Sequence, residues 1–211
     1  MKYNTPFKYP KSKYKRKFFP QYKTNKSYKA VLRKEFGNIC VYCRMPDFLK
    51  VDSFGVDHYK PKEIFPELEW NYRNLFYACN TCNSRKGSYW PTSDLLKTNI
   101  FLPNPCDHVM YEHLRYEGVI VNARSKAGEL ADKLLDFNDK ISLSYRESIN
   151  YIIQKLFVDF EKINATISKL KKLIEKEVVQ EKKSEIIIDI NRHEKKVQKI
   201  KQRLNDCGIN I

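Results

Sequence analysis

Two pairs of cysteines in this sequence have the spacing of metal ligands. Cys40 and Cys43 are separated by two residues, and so are Cys79 and Cys82. Each pair can present two thiolates from one short turn, and together the pairs complete a tetrahedral four-sulfur site for zinc. The gap between the pairs is longer than in a compact zinc ribbon, so we expect the metal to close a loop that contains a second site.

The loop and the residues just after it contain a second group that is suited to hydrolysis. Asp57 offers a hard oxygen ligand, and His58 carries an imidazole whose ordinary pKa is near neutrality. Asn83 offers a neutral oxygen ligand, and Lys86 follows one helical turn later. Because neighbours in a regular strand point to opposite faces, Asp57 and His58 share a site only where the chain leaves strand geometry, which Pro61 favours. These residue types predict metal-assisted hydrolysis.

The alternative is a surface loop beside a purely structural zinc module, which would bind nucleic acid without cleaving it. Any one of Asp57, His58 and Asn83 alone would favour that alternative. Their joint occurrence with Asn74, nine residues before Asn83, favours a nuclease site. A further Cys and His, at positions 106 and 108, have no partner pair and are interpreted as loop residues.

The order of these motifs resembles the zinc-containing branch of the HNH nuclease family. Residues 40–87 contain, in this order, Cys-x-x-Cys, Asp-His, Asn-Leu and Cys-x-x-Cys-Asn-x-x-Lys. The signature positions are His58, Asn74 and Asn83, with asparagine in place of the final histidine, a replacement that occurs in active members. The resemblance implies a ββα-metal fold braced by the four-cysteine zinc site.

The same resemblance implies a role for each residue of the second site. His58 would be the general base that activates water, and Asn74 would hold the loop that orients it. Asp57 and Asn83 would hold one Mg²⁺ or Mn²⁺ on the scissile phosphate. Lys86 and Arg85 would stabilise phosphate charge. The products would have 5′-phosphate and 3′-hydroxyl ends.

The charge of the chain predicts a polyanionic partner. The formal net charge is +15, and residues 1–30 contain ten Lys or Arg and no Asp or Glu. Such a field attracts nucleic acid, with DNA as the first candidate. Residues 1–29 mix these cations with Tyr, Phe and Pro and are interpreted as an extended basic arm. Its predicted nucleic-acid contacts are Lys13, Lys15, Arg16 and Lys17. The alternative is that the aromatic rings of the arm cover the protein's own surface.

The C-terminal part predicts long helices. Neither Gly nor Pro occurs between Glu129 and Cys207. Apolar residues follow alternating steps of four and three from Ile149 to Ile174, and again in a different register from Ile186 to Leu204. The break near residues 180–185 indicates a turn between two antiparallel helices, with one helix containing a stutter as the alternative. The apolar seam would either close on itself within a hairpin or form a dimer or a docking surface.

Together these patterns predict an α+β protein with three parts. They are a basic arm (1–29), an HNH nuclease domain (30–138) and a helical extension, coiled coil or hairpin (139–211). Segments near residues 101–120 and 134–146 are similar to the tails of stand-alone HNH proteins of bacterial defence systems, including those that work beside an ATPase. We therefore expect an endonuclease of antiviral defence, or a nuclease subunit that a partner activates. The sequence shows no apolar run for a signal peptide or a membrane span, which predicts a cytoplasmic protein.

Overall fold

The computed structural model describes residues 5–48 and 53–209. Their contacts form two compact units, one of residues 6–147 and the other of residues 148–209 together with Thr5. The first four residues of the predicted arm lie outside the described residues. The predicted α+β class is confirmed. The three-part division drawn from composition stays a prediction.

The larger unit contains two strand pairs and several helices. Its elements are α1 (Asn25–Glu35), β1 (Phe54–His58), β2 (Leu75–Cys79), α2 (Asn80–Lys86), α3 (Ser93–Lys97), α4 (Met110–His113), β3 (Leu114–Glu117), β4 (Ile120–Ala123), α5 (Lys126–Leu135) and the start of α6 (Lys140–Lys176). β1 pairs with β2, and β3 pairs with β4, both antiparallel. None of the helices formed by the described residues combines the length and the apolar character that a membrane crossing requires.

The first helix forms for reasons that the sequence contains. The Thr24 side chain accepts a hydrogen bond from the Ser27 N–H and so caps the free amides of α1. Tyr28 and Leu32, four residues apart, are fully buried and fix the inner face of the helix. Gly37 follows with φ +65°, a conformation that favours glycine, just after the end of the helix.

The strand pair β1–β2 and helix α2 form the part of the fold that carries the predicted site. Phe54 lies opposite Cys79 and His58 opposite Leu75 in the antiparallel register. β1 ends at His58, and residues 59–74 return to β2 through two short 3-10 helices. Helix α2 begins directly after β2, and the Cys79 sulfur accepts from the Cys82 N–H at 3.4 Å. Cys79 is therefore both the last residue of the strand and the cap of the helix.

The N-terminal arm belongs in part to the core of this unit. Phe7 and Tyr9 are 2% and 4% exposed, and the Tyr9 hydroxyl donates to the Tyr42 carbonyl at 2.7 Å. Burial of two aromatic rings stabilises the unit by several kcal/mol, on the order of 2 kcal/mol for each ring. For this first stretch, the structure adopts the alternative in which aromatic residues of the arm cover the protein's own surface.

The smaller unit is a helical hairpin. α6 runs to Lys176, and α7 (Gln180–Asp206) follows after three residues. Ile167, Ile190 and Val197 are buried together along the seam. Lys171 pairs with Glu194 at 3.0 Å, so the two helices are antiparallel. The predicted long helices are confirmed, and the turn lies at residues 177–179, just before the predicted position.

Candidate active site

The four cysteines form one cluster. Two turns bring them together, because the chain reverses between Cys40 and Cys43 and passes from β2 into α2 between Cys79 and Cys82. The sulfur atoms lie within 4.8 Å of one another, and Cys43 Sγ is 3.7 Å from Cys79 Sγ. Four sulfurs around zinc at about 2.3 Å stand about 3.8 Å apart. The predicted potential metal site is confirmed, and its donors fit a tetrahedral ion.

The thiols also influence one another's charge. Burial opposes the ionisation of Cys40, but hydrogen bonds from the other three thiols outweigh it and hold its pKa well below its usual value. Hydrogen bonding with Cys40 in turn raises the pKa of Cys43 and Cys82. Ionisation of each thiol thus depends on the other three, and a central cation would stabilise their thiolates.

The adjacent residues Asp57 and His58 line one cleft of about 300 Å³ together with Asn83, which lies 25 residues further along the sequence. β1 supplies the first two residues and α2 supplies the third. The complete lining consists of Asn25, Val56, Asp57, His58, Pro61, Lys62, Glu63, Asn83, Gly87 and Ser88. The structure thus brings a carboxylate, an imidazole and an amide together at the end of the strand pair.

The environment of His58 defines which ring nitrogen can accept a proton. Nε2 lies 3.0 Å from the Glu69 carbonyl oxygen. A carbonyl can only accept, so Nε2 carries the proton and Nδ1 retains the lone pair. Burial of the ring lowers the pKa of His58, although the Glu69 carbonyl opposes this effect. The neutral imidazole is therefore favoured near neutral pH, as a general base requires.

Asn74 ties together the loop that follows His58. Its Nδ2 donates to the Lys60 carbonyl at 2.9 Å and to the Leu68 carbonyl at 3.3 Å. Its Oδ1 accepts from the Lys60 N–H at 2.8 Å, and its main-chain carbonyl accepts from the Tyr59 N–H at 2.9 Å. Asn74 is 6% exposed, so these bonds are made away from water. Its contacts are those of a residue that holds a loop.

Asp57 is held by two buried partners. The Tyr42 hydroxyl donates to Oδ2 at 2.6 Å, and the Lys86 ammonium donates to Oδ1 at 3.0 Å. Lys86 also donates to the His58 carbonyl at 2.6 Å. Asp57 and Lys86 are each 2% exposed. Since a carboxylate can accept about four hydrogen bonds, Asp57 retains lone pairs for a ligand in the cleft.

Neutralising Lys86 should destabilise the larger unit strongly. Lys86→Met leaves the Asp57 carboxylate buried without its counter-charge, and removal of one partner of a buried pair costs about 3–5 kcal/mol. We expect the free energy of unfolding to fall by that amount in urea titrations followed by tryptophan fluorescence.

The matched control is Lys86→Met combined with Asp57→Asn. The neutral amide needs no counter-charge, so the double variant should recover part of the lost stability. A single variant within about 1 kcal/mol of wild type would show that the ion pair does not matter for stability.

The remaining predicted cations differ in what they contact. Arg85 donates to the carbonyls of Leu135 and Asp136 at 2.9 and 2.8 Å and to Asp139 at 3.0 Å. It therefore joins α2 to the end of α5. Arg16 is largely buried against Glu35 at 3.2 Å. The other three predicted contacts have exposed side chains: Lys13, Lys15 and Lys17. The roles predicted for all five, and for Lys86, in nucleic-acid binding or catalysis stay predictions.

Sequence reasoning did not identify Tyr42 as a site residue. It lies between Cys40 and Cys43, so the turn of the first cysteine pair presents its hydroxyl to Asp57. Burial, and next the charge of Asp57, raise the pKa of Tyr42 well above its usual value, which keeps the phenol protonated as a donor. The only signal in the sequence is the position of a tyrosine within the cysteine pair. Through Tyr42, the cysteine cluster and the cleft are one connected site.

Comparison with known proteins agrees with this geometry. Residues 40–89 match the model of the family described as HNH endonuclease. The match includes the four clustered cysteines, the Asp57–His58 pair, Asn74 and Asn83. The resemblance predicted from the order of motifs is thereby confirmed for this stretch of the chain.

A longer part of the chain is similar to a particular protein. The Septu protein PtuB of Bacillus thuringiensis is 29% identical over 117 residues. The matched region is 56% of this chain and 43% of that relative, so the chain spans less than half of the relative's length. No solved structure matches the chain.

Proposed function

We propose that this protein is a metal-dependent HNH endonuclease that hydrolyses phosphodiester bonds of DNA. β1, β2 and α2 would form its ββα-metal core. The observation that carries the proposal is the single cleft lined by Asp57, His58 and Asn83, within the residues that match the HNH endonuclease family. A carboxylate, a neutral imidazole and an amide in one cleft suit hydrolysis better than simple binding.

Two kinds of metal ion fit the donors of this site. The four sulfurs suit a structural zinc ion, which would brace β2 against the turn that carries Tyr42. Asp57 and Asn83 supply oxygen donors for Mg²⁺ or Mn²⁺, ions that are often held by one or two carboxylates together with substrate phosphates. When bound there, the divalent ion would polarise the scissile phosphate and stabilise the leaving oxygen.

The chain's own residues would move one proton and hold the geometry. We assign Nδ1 of His58 the removal of a proton from water. The resulting hydroxide forms a bond to phosphorus as the bond to the 3′ oxygen breaks. The 3′ oxygen then takes up a proton from solvent, which leaves a 5′-phosphate and a 3′-hydroxyl end. Asn74 would keep His58 in place through the loop. Lys86, whose ammonium is directed at Asp57, would act by positioning that carboxylate and not by contact with phosphate.

The biological setting that we propose is bacterial antiviral defence. The similarity to a Septu protein and to the tails of defence-associated HNH proteins supports this setting. We expect the protein to act in the cytoplasm, where reduced cysteines are available for metal. A single catalytic cleft cuts one strand, so a break of both strands would need two sites or two events.

The experiment that tests the nuclease proposal is cleavage of supercoiled plasmid by the zinc-loaded protein. Nicked or linear plasmid should appear with Mg²⁺ or Mn²⁺ and should not appear when neither ion is added. Cleavage that does not depend on a divalent ion would contradict the assigned chemistry.

A nuclease that a partner protein activates is the second candidate. The observation that favours it is a set of exposed apolar side chains in the hairpin unit: Leu173, Val178, Val179, Ile187 and Ile188. Such residues on a long hairpin are typical of a docking or dimer surface. Plasmid that stays intact with the protein alone, and is cut after addition of a partner ATPase, would support this candidate.

A further inference from the structure

The arm contains a second stretch that, unlike Phe7 and Tyr9, presents aromatic rings to solvent. We name residues 17–26 the basic–aromatic ledge. Phe18 is 46% exposed, Phe19 57% and Tyr22 40%. The ledge also has exposed lysines at its start, middle and end and no acidic residue: Lys17, Lys23 and Lys26. Three exposed rings within five residues differ from the scattered single apolar residues of an ordinary surface.

The first end of the ledge is fixed to the strand pair that carries His58. Arg16, immediately before the ledge, donates through Nη2 to the Leu75 carbonyl at 2.6 Å. Leu75 lies opposite His58 in the register of β1 and β2. The Lys17 N–H donates to the Glu35 carboxylate at 3.1 Å. The start of the ledge is therefore held against β2 and α1 by part-buried hydrogen bonds.

The second end of the ledge reaches the cleft itself. The Tyr22 N–H donates to the Tyr28 hydroxyl at 2.9 Å, and the two rings are 5.3 Å apart. Asn25, at the start of α1, lines the same cleft as Asp57 and His58. A strand of nucleic acid whose phosphate occupies the cleft would thus have the ledge as its neighbouring surface.

The chemistry of the rings distinguishes between forms of nucleic acid. The side chain of phenylalanine has no donor for phosphate, but its ring can stack on a base whose face is free. In a duplex the base faces are covered by their neighbours, so exposed rings gain little from it. Arg73, whose guanidinium lies 5.3 Å from the centre of the Phe19 ring, adds positive charge at the same place.

We propose that the basic–aromatic ledge binds unpaired nucleotides next to the scissile phosphate. Bases stack on Phe18 and Phe19 while the lysines of the ledge contact phosphates. The proposal rests on the proposed nuclease function and deepens it, because it defines the substrate as nucleic acid with a single-stranded segment beside the cleavage point.

The test measures binding affinity by fluorescence anisotropy with a labelled oligonucleotide. The oligonucleotide is used as a single strand and as a blunt-ended duplex with its complement. The full-length zinc-loaded protein is used without Mg²⁺ or Mn²⁺, so that binding is measured without cleavage. Phe18→Ala combined with Phe19→Ala removes both rings and no charge. The matched control is Leu96→Ala combined with Ile120→Ala, which removes two exposed apolar side chains elsewhere in the larger unit.

We expect the ring variant to bind the single strand at least about fivefold more weakly, since each lost stacked base accounts for roughly 5- to 150-fold. Its duplex affinity should stay within about twofold, and its dependence on salt should equal that of wild type because no cation is lost. The control variant should bind both forms as wild type does.

Three results would overturn the proposal: no binding of the single strand by wild type, unchanged single-strand affinity of the ring variant, or an equal loss on the duplex. If the ring variant kept its single-strand affinity, the exposed rings would instead be assigned to a protein-docking surface. Because the readout is binding, failure of the ledge is distinguishable from failure of the nuclease proposal. Plasmid cleavage tests the nuclease proposal. A lack of plasmid cleavage would leave the measured single-strand binding unaffected.

Discussion

His58→Ala should abolish plasmid cleavage and leave the fold and the metal content of the protein unchanged. Loss of a general base lowers a rate by about 10²–10⁴-fold, enough to remove detectable nicking. His58 is half-buried at the end of β1, and its ring forms a hydrogen bond to the Glu69 carbonyl. Its removal therefore leaves the cysteine cluster and the Asp57–Lys86 pair intact. The measurement compares initial nicking rates at saturating Mg²⁺, with zinc determined in the same samples.

The matched control is His108→Ala. This imidazole is also partly buried with a lowered pKa caused by burial, but it stacks on Phe101 with ring centres 4.2 Å apart and does not line the cleft. It should retain wild-type cleavage. If His58→Ala cleaved at more than about a tenth of the wild-type rate, His58 would not be the base.

The two cysteine turns could be predicted from the sequence because each depends on local spacing. Two residues between cysteines fix a turn of known geometry. Asp57 and His58 are adjacent, and Asn83 is fixed to the cysteines by the first turn of α2. Residue type and separation along the chain therefore predict the two cysteine turns, whereas the shared cleft also requires the pairing of β1 with β2, which brings Asp57 and His58 to Asn83.

The acidic partners of Lys86 and Arg85 could not be predicted from the sequence in this way. Lys86 and Asp57 are 29 residues apart, and Arg85 and Asp139 are 54 apart. Such pairs form only after the chain has folded back. From the sequence alone, any of several acidic residues could be the partner of each cation. A lysine that would contact phosphate and a lysine that would hold a carboxylate have the same local pattern.

The arm illustrates the same limit for aromatic residues. Phe7 and Phe19 both stand among lysines and near prolines, yet one is 2% exposed and the other 57%. Phe7 packs against Tyr116, whose ring lies 5.7 Å away and which is far along the chain, so its burial does not follow from the local sequence. Deletion of residues 1–29 would therefore remove part of the core together with the ledge. For this reason, point substitutions are the sharper test of nucleic-acid binding.

Cys79→Ser should release the structural metal and unfold the larger unit. A four-sulfur zinc site contributes about 10–16 kcal/mol of apparent binding free energy, whereas a whole domain is stable by only about 5–15 kcal/mol. Loss of one ligand should therefore remove most or all of the stability. Serine keeps a side-chain oxygen that can cap α2, so the substitution separates the loss of the metal from the loss of the cap.

Both tryptophans of the chain, Trp70 and Trp90, belong to the larger unit, whereas far-ultraviolet circular dichroism is dominated by the long helices α6 and α7. We expect Cys79→Ser to contain little zinc and to lose the cooperative thermal transition in tryptophan fluorescence while much of the helical signal remains. Cys106→Ser, which changes a cysteine outside the cluster, should keep about one zinc per chain and the wild-type transition. Retention of both zinc and transition by Cys79→Ser would mean that the four sulfurs do not form a structural metal site.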